Sequence, residues 1–282
     1  MTEISYSSIV SAVARLCREA NTFLPADLRR AIEAAGEAER SPVGKAILGD
    51  VAENFTFAAQ KGLPICQDTG MAVVFAELGQ EVHLTGGTLE AAVNEGVAKG
   101  YTEGCLRCSV VSDPLRRENT GDNTPAILHL RLVGGNTLKL TVAPKGFGSE
   151  NMTALKMFTP AATAEDIVAF IVEAVSRAGS NPCPPVVVGV GLGGTSETAA
   201  LLAKQALLLP VDGENEDPYY ATLERESLAH INALGIGPQG LGGSTTALSV
   251  RILPYPTHIA GLPCAVNLGC HVTRHASTVL PG

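Results

Sequence analysis

Helix-like and strand-like segments are interleaved along this chain without the regular strand–helix–strand repetition of a parallel βαβ protein. Residues 1–62 have apolar side chains at helical spacing, with Ser7 or Ser8 as the candidate N-cap of the first helix and Gly62 as the C-cap of the third. Short apolar runs that predict strands then alternate with amphipathic helices. The order predicts an α/β (mixed α+β) fold in two lobes, in which mixed sheets with helices follow a helical N-terminal region.

Local signals predict several boundaries within this fold. Residues 127–132 and 137–142 alternate apolar and polar side chains on either side of the glycine turn 134–136, which predicts a hairpin. Thr163 is placed to open an amphipathic helix. The Gly- and Pro-rich stretch 179–185 is the best candidate for an internal boundary, although it also has the character of a site loop.

The composition limits the class of protein. With 282 residues, of which 45% are hydrophobic, the chain can bury a large core. The first residues lack the basic and apolar segments of a signal peptide, and no apolar run approaches the roughly 20 residues of a membrane span. We therefore expect a cytoplasmic protein that does not enter a membrane. The net charge of −8 and the absence of a Lys/Arg cluster argue against nucleic acid as a partner.

Three of the seven cysteines lie in Pro- or Gly-bearing loops that border predicted strands, namely Cys66, Cys183 and Cys270. In a reducing compartment, cysteines on loops serve metals or catalysis more often than disulfides. Their wide separation matches no local zinc or ferredoxin pattern. From chemistry alone, the three thiols could bind an iron–sulfur cluster, bind zinc, or have no shared role.

The other cysteines carry weaker signals. Cys105 and Cys108 form a C-x-x-C pair, but a zinc site would need a second pair, and a helix precedes this one where a redox dithiol would need a thioredoxin-like setting. We interpret the pair as incidental. Cys17 falls on the apolar face of the first helix, which predicts a place in the core.

Residues 189–194 fit the pattern G-x-G-x-x-G between a predicted strand and a helix, as in dinucleotide-binding sites. Asp212 lies near the distance expected of a ribose-binding carboxylate, but in a polar loop. We favour a glycine loop packed near the cysteine site, with a dinucleotide-dependent oxidoreductase as the alternative.

Three more loops are rich in glycine or polar residues: 116–125, 145–151 and 236–246. The simplest interpretation of residues 116–125 is a solvated turn. Residues 145–151 could present backbone N–H groups to an anion. Each signal is weak, but so many such loops in one chain indicate a single enclosed site.

The run PICQDTG at residues 64–70 resembles a signature of the class I (iron–sulfur) fumarate hydratases and the related L-tartrate dehydratases. Blocks similar to other family sequences follow in the same order, at residues 119–123, 181–185, 237–241 and 267–270. The resemblance covers nearly the whole chain. It identifies residues 1–282 as one α-type catalytic domain, either the α subunit of a two-subunit enzyme or the N-terminal domain of a single-chain form.

The resemblance implies a [4Fe–4S] cluster held by Cys66, Cys183 and Cys270, with one iron left without a protein ligand. An iron with an open position can bind a substrate carboxylate and hydroxyl and act as a Lewis acid.

Four further roles follow from the same resemblance. Asp68 matches the family residue implicated in proton transfer at the substrate carbon, and it binds substrate together with Gln67. Arg107 matches a family arginine that pairs with a dicarboxylate. A guanidinium suits this role because it can bind a carboxylate through two hydrogen bonds. Gly148 leaves room for a close backbone approach.

The resemblance also predicts a reaction and a partner. We expect a hydro-lyase that interconverts fumarate and L-malate, a reaction of the tricarboxylic acid cycle, because residues 117–125 are closer to the fumarase version of that block. An L-tartrate dehydratase α subunit is the alternative. The family's remaining substrate contacts lie in a β-type subunit or C-terminal domain. The chain is therefore expected to need a β-type subunit and to act on a small dicarboxylate. We expect the α chain to form a homodimer, or an α2β2 assembly with its partner.

Overall fold

The computed structural model describes residues 2–281. They divide into two compact units, called unit 1 (residues 2–25, 55–147 and 274–281) and unit 2 (residues 26–54 and 148–273). The boundary predicted at residues 179–185 is wrong, because this stretch lies wholly inside unit 2. The helix before it and the strand after it pack in the same core.

In chain order the elements are β1 (Thr2–Ser5), α1 (Tyr6–Thr22), α2 (Ala26–Ala38), α3 (Pro42–Lys61), β2 (Met71–Gly79), β3 (Val82–Thr85), α4 (Leu89–Glu103), β4 (Ile127–Val133), β5 (Leu138–Lys145), α5 (Phe147–Glu150), β6 (Ala154–Phe158), α6 (Ala164–Ala178), β7 (Val186–Gly193), α7 (Ser196–Ala206), α8 (Pro218–Ala233), β8 (Ala247–Tyr255), β9 (Leu262–Gly269) and β10 (Ala276–Leu280). Helices with mixed sheets confirm the predicted α/β (α+β) class. None of the helices within residues 2–281 has the length and hydrophobicity that a membrane crossing requires.

The predicted N-terminal helices are confirmed as α1, α2 and α3, but α1 begins earlier than expected. Its N-cap is Ser5, whose Oγ accepts the N–H of Ser8 at 3.2 Å. Ser7 and Ser8 therefore lie inside the helix. The short strand β1 occupies the residues before it and pairs in parallel with β3. At the end of α3, Gly62 has a φ of +65°, as expected of a C-cap glycine.

The core of unit 1 lies between α1, α4 and the sheet β10-β5-β2-β4. Val13 of α1 and Val97 of α4 belong to the same buried cluster as Val74 of β2. Gly100 lets the two helices approach, because a Cβ there would lie 2.9 Å from the carbonyl oxygen of Ala14. This packing holds β2 firmly, and with it the residues that lead into the strand.

The predicted hairpin of β4 and β5 is wrong. β2 lies between them, parallel to β4 and antiparallel to β5. The residue that follows the glycine turn binds the end of β2 instead, because the Gly79 N–H donates to the Thr137 carbonyl oxygen at 2.9 Å. Local alternation predicts two strands and a turn. The strand that is apolar at nearly every position, β2, takes an inner place in the sheet between β4 and β5, and local alternation does not specify this order.

Unit 2 is built on the sheet β6-β9-β7-β8, with α6 and α8 on one face and α7 on the other. Val188 and Val190 of β7 pack with α6 and α8, whereas Gly189 and Gly191 face α7, since successive residues of a strand point to opposite faces. A Cβ at Gly191 would collide with the carbonyl oxygen of Ala199. The glycines therefore let α7 lie directly on the strand.

This packing corrects the interpretation of residues 189–194. They do not form a glycine loop near the cysteines, because β7 continues to Gly193. A dinucleotide fingerprint needs its glycines in the turn after the strand. Asp212 forms an ion pair with Arg30 at 2.6 Å. The dinucleotide alternative is therefore contradicted.

Candidate active site

In unit 1, residues 63–70 form a turn between α3 and β2, called the Asp68 turn. Its last residues, Thr69 and Gly70, are buried. Tyr101 Oη donates to the carbonyl oxygen of Thr69 at 2.8 Å, and Asn123 Nδ2 donates to that of Gly70 at 3.0 Å. Both donors are themselves fully buried, so satisfied interior hydrogen bonds hold the backbone of the turn in one conformation.

The half-buried Asp68 side chain is oriented by backbone groups. Its Oδ1 accepts the N–H of Gly70 and its Oδ2 accepts the N–H of Phe147, each at 3.0 Å. Gly146 leaves room for the carboxylate, because a Cβ there would lie 3.0 Å from Oδ2. The Asp68 carbonyl accepts a hydrogen bond from Arg274 Nη2. Each carboxylate oxygen keeps a further lone pair that can take up a proton.

The other predicted residues of unit 1 surround the same turn. Cys66 Sγ donates to Gln67 Oε1 at 3.4 Å. Thr69 Oγ1 donates to the carbonyl oxygen of Arg107 at 3.0 Å, which ties the Arg107 segment to the Asp68 turn. Gln67 and Arg107 are exposed, while Cys66 is partly exposed. The structure thus places the predicted thiol, amide and carboxylate on one turn and joins the backbone of Arg107 to that turn.

Three polar residues of this site had no predicted role. Asn123 is fully buried, which overturns the solvated-turn interpretation of residues 116–125 at that position. Lys145 is buried, and its backbone lies against Gly70, where a Cβ would lie 2.8 Å from the Lys145 carbonyl carbon. Arg274 is 4% exposed. The only sequence feature that could have pointed to Arg274 is its position, four residues after Cys270.

In unit 2 the structure joins the segments of Cys183 and Cys270. The N–H of His271 donates to the carbonyl oxygen of Cys183 at 3.4 Å, and His271 Nδ1 lies 2.9 Å from the same oxygen. Cys270 Sγ accepts the N–H of Val272 at 3.3 Å. Hydrogen bonds to sulfur are among the contacts that tune metal-bound thiolates. This arrangement therefore suits a ligand cysteine.

The segment around Cys183 has an unusual backbone. Cys183 has a φ of +53°, a left-handed conformation that residues with a Cβ rarely adopt. The backbone N–H and the Nε2 of Gln239 both donate to the carbonyl oxygen of Pro184, at 2.8 and 2.9 Å. A close backbone approach does occur at Gly148, where a Cβ would lie 3.1 Å from the Asn181 carbonyl oxygen.

Three of the four remaining cysteines, Cys17, Cys108 and Cys264, are less suited to bind iron, because a metal requires the thiolate. Cys17 and Cys264 are fully buried, and burial raises the pKa of each thiol to about 12. Burial also raises the pKa of Cys108. The core position predicted for Cys17 is confirmed.

The three loop cysteines do not all belong to the same unit. Cys66 belongs to unit 1, and Cys183 and Cys270 belong to unit 2. Within either unit, residues 2–281 contain no group of three or more His, Cys, Asp or Glu side chains arranged to bind a metal ion. Cysteine thiolates are nevertheless the donors that iron–sulfur clusters use, so these partly or fully exposed thiols fit the group chemically.

The chain is similar to known proteins over nearly its whole length. The family model described as Fumarate hydratase (Fumerase) matches residues 10–279. A Methanocaldococcus jannaschii protein, provisionally named L(+)-tartrate dehydratase subunit alpha, is 40% identical over 274 residues, or 95% of this chain and 96% of that protein. The L(+)-tartrate dehydratase subunit alpha of Escherichia coli K12 is 30% identical over 277 residues, or 97% of this chain and 91% of that protein. The chain is therefore a hydro-lyase that belongs to the iron–sulfur fumarate hydratase family.

Proposed function

We propose that this chain is the α-type subunit of an iron–sulfur hydro-lyase that dehydrates L(+)-tartrate. The observation that carries the proposal is the 40% identity, over 95% of the chain, to an archaeal relative provisionally named as that subunit. Residues 117–125 had favoured fumarate as the substrate. The names of the similar proteins favour tartrate, and identity along the whole chain outweighs one short block.

The reaction itself defines what the site must provide. Dehydration of a 2,3-dihydroxy dicarboxylate removes a proton from one carbon and hydroxide from the next. The products are water and an enol, which rearranges to a 2-oxo dicarboxylate. A carbon-bound proton leaves slowly without a positioned base, and hydroxide is a poor leaving group without assistance.

Cys66, Cys183 and Cys270 would hold the [4Fe–4S] cluster. When bound, the cluster supplies a Lewis-acidic iron, which is the assistance that a departing hydroxide needs. The support for this ligand set is the resemblance of the three loop segments to the family sequences. The exposure of their thiols is compatible with it, and burial disfavours the thiolates of Cys17 and Cys264.

Asp68 takes the proton from the substrate carbon. The N–H groups of Gly70 and Phe147 orient its carboxylate from within the chain, and its exposed side can face a substrate. The hydrogen bond from Arg274 to the Asp68 carbonyl fixes the backbone on which the base is carried. A base held in this way loses little orientational freedom when the substrate binds.

Arg107 and Gln67 bind the substrate beside this base. The guanidinium of Arg107 binds one substrate carboxylate through two parallel hydrogen bonds. The amide of Gln67 can donate to a carboxylate and accept from a hydroxyl, as a hydroxylated substrate requires. Gly148 keeps the adjacent backbone free of a side chain.

A β-type subunit completes the enzyme in this proposal. The relatives at 40% and 30% identity are named as alpha subunits. A doubly charged dicarboxylate needs several cationic contacts once it leaves water, whereas this chain has a net charge of −8. The partner would supply further basic residues to a cytoplasmic α homodimer or α2β2 assembly.

The test uses the chain coexpressed with its β-type partner, purified and reconstituted without oxygen. Loss of water from L(+)-tartrate is compared with hydration of fumarate, with the mirror-image D-tartrate as the control substrate. We expect a brown protein with about four irons per chain and the highest kcat/KM for L(+)-tartrate. A protein that stays colourless after reconstitution would contradict the cofactor.

Fumarate is the second candidate substrate, because the matching family model is described as fumarate hydratase. Hydration adds water across the double bond, and Asp68 would then deliver the proton to carbon. A higher kcat/KM for fumarate than for L(+)-tartrate would replace the proposed substrate and keep the same site.

A further inference from the structure

Glu39 is an acidic residue of unit 2 with no role in the mechanism above, and it is only 1% exposed. Its Oε1 accepts the N–H groups of Arg40 and Ser41, at 2.7 and 2.9 Å, where α3 begins. Oε1 also accepts the N–H of Ser244, and Oε2 accepts that of Thr245, both at 2.8 Å. These donors replace the water that the carboxylate loses, and they join two segments far apart in the sequence.

The Glu39 side chain remains charged in this position. Burial alone raises its pKa, but the hydrogen bonds from Ser244, Ser41 and Thr245 outweigh burial and hold the pKa at about 2. A negative charge at the N-terminus of α3 is further favoured by the helix dipole. The contact is thus a charged one at neutral pH, and a neutral side chain of the same shape would not reproduce it.

The segment that Glu39 contacts is the glycine-rich loop 236–246, called the clamp loop, which connects α8 to β8. Gly243 faces the carboxyl group so closely that a Cβ there would lie 3.0 Å from it. The loop is closed by the N–H of Gly242, which donates to the carbonyl oxygen of Ile236 at 2.8 Å. A shift at the Glu39 end of this closed loop should therefore move its other end.

The other end of the clamp loop contacts both cysteine segments of unit 2. Gln239 donates to the carbonyl oxygen of Pro184 through its backbone N–H and its Nε2. The same Nε2 lies 3.1 Å from His271 Nδ1. Since Pro184 follows Cys183 and His271 follows Cys270, this one residue touches both segments.

We propose that Glu39 is a positioning residue that acts through the clamp loop to set the placement of Cys183 relative to Cys270. Glu39 fixes one end of the loop, and Gln239 at the other end fixes the two cysteine segments. The inference rests on the proposed function, in which both cysteines bind the cluster. It adds to that function a residue about 140 positions from the nearer cysteine in sequence, without contact to the substrate.

The test uses the complex with the β-type partner, loaded with its cluster without oxygen. Parent, Glu39→Gln and Glu37→Gln are compared; Glu37 is exposed on α2 and serves as the matched control. Gln keeps the shape of the side chain but replaces one accepting oxygen with an NH₂ group. At a temperature below unfolding, we expect Glu39→Gln to release iron to a chelator roughly 10-fold faster than the parent. Its reduced cluster should have an altered electron paramagnetic resonance spectrum, and Glu37→Gln should match the parent.

The outcomes separate the possible roles. Parental iron release with an unchanged spectrum in Glu39→Gln would overturn the inference. A lower melting temperature with an unchanged spectrum would also overturn it, by showing a merely structural role. If Glu39→Gln does not fold, Ser244→Ala replaces it. This change removes the 2.9 Å hydrogen bond from the Ser244 hydroxyl to Glu39 and the 3.3 Å hydrogen bond that the hydroxyl accepts from the Arg40 N–H, and it keeps the backbone N–H contacts of Glu39. Faster release then supports the inference and parental release overturns it. A parent complex that binds no iron would contradict the proposed function itself.

Discussion

Units 1 and 2 hold their site residues in different ways. In unit 1, Cys66, Gln67 and Asp68 share one turn, and the buried side chains of Tyr101 and Asn123 bind its backbone carbonyls. In unit 2, the two loop cysteines lie 87 residues apart, and a third loop bridges their segments. The first arrangement is carried by a contiguous motif, whereas the second exists only in the folded chain.

The difference indicates that the two units have different tasks in the proposed site. A base must keep its orientation, and unit 1 provides this with donors rooted in a packed core. Metal ligands must keep their spacing, and unit 2 provides this with hydrogen bonds between loops. Variants of the cysteine segments and of the clamp-loop contacts in unit 2 should therefore affect the cluster. Variants of the Asp68 turn and of Arg107 in unit 1, other than those of Cys66, should affect turnover or substrate binding while the cluster remains.

The largest expected effect is the loss of a ligand. Cys183→Ala or Cys270→Ala should remove nearly all iron from the reconstituted chain, and so should Cys66→Ala in unit 1, because each supplies a thiolate. Iron content and visible absorbance measure the effect. Cys105→Ala, which removes an exposed thiol, is the control and should keep its iron. A full cluster after the loss of Cys183 would refute the ligand set.

Asp68→Asn should have the next largest effect. The amide keeps the shape of the side chain but cannot act as the base, so kcat should fall by ~100-fold or more while the iron content stays at the parental value. Steady-state kinetics and iron analysis are measured on one sample. Glu81→Gln removes an exposed carboxylate of unit 1 and should keep the parental rate. An Asp68→Asn enzyme with parental kcat would remove Asp68 from the mechanism.

Arg107→Lys tests substrate binding in unit 1. Lysine keeps the charge but loses the planar pair of donors, so KM should rise roughly 10-fold with a smaller change in kcat. The exposed Arg131→Lys on β4 is the matched control. An unchanged KM, or a loss of iron, would show that Arg107 has a different role.

Tyr101→Phe tests the rigidity of the Asp68 turn. Burial raises the pKa of Tyr101, which keeps its hydroxyl protonated as a donor. Its removal leaves buried carbonyls without this donor and should lower the free energy of unfolding by about 1–3 kcal/mol. Tyr6→Phe removes a hydroxyl that donates to Glu95 in a more exposed place, and should cost about 0.5 kcal/mol or less. Urea unfolding measures both changes. If Tyr101→Phe and Tyr6→Phe lower the free energy of unfolding equally, the interior hydrogen bond of Tyr101 does not have the proposed role.

The pH dependence of the Glu39 contact in unit 2 is a further effect on stability, similar in size to that of Tyr101→Phe. The folded pKa of about 2 lies below the ordinary value of 4.5, so Glu39 stabilises the fold fully above pH 4.5 and loses this contribution as the pH falls toward 2. At neutral pH, the free energy of unfolding of the parent should exceed that of Glu39→Gln by ~2 kcal/mol. The difference should shrink steadily in urea titrations between about pH 5 and pH 3. A difference that does not change with pH would show that the charge is not what stabilises the contact.

The sequence by itself determined the features that depend on neighbouring residues. Two helix ends are of this kind: Thr163 opens α6 with a capping box, and Gly62 ends α3, because both use side-chain or backbone properties within a few residues. The N-cap of α1 is Ser5 and not the predicted Ser7 or Ser8. The family and the candidate residues around Asp68 could also be predicted from the sequence, because Cys66, Gln67 and Asp68 lie in one contiguous motif. The presence and approximate length of most helices and strands followed from periodicity.

Only the tertiary structure decided which distant segments meet. β2 separates β4 from β5, although the two look like a hairpin locally. The glycines of β7 face a helix and do not surround a ligand. Asn123, Arg274 and Glu39 acquire their contacts from partners more than 50 residues away. Burial and hydrogen bonding between such segments depend on how whole elements pack, and no local pattern of residue types contains that information.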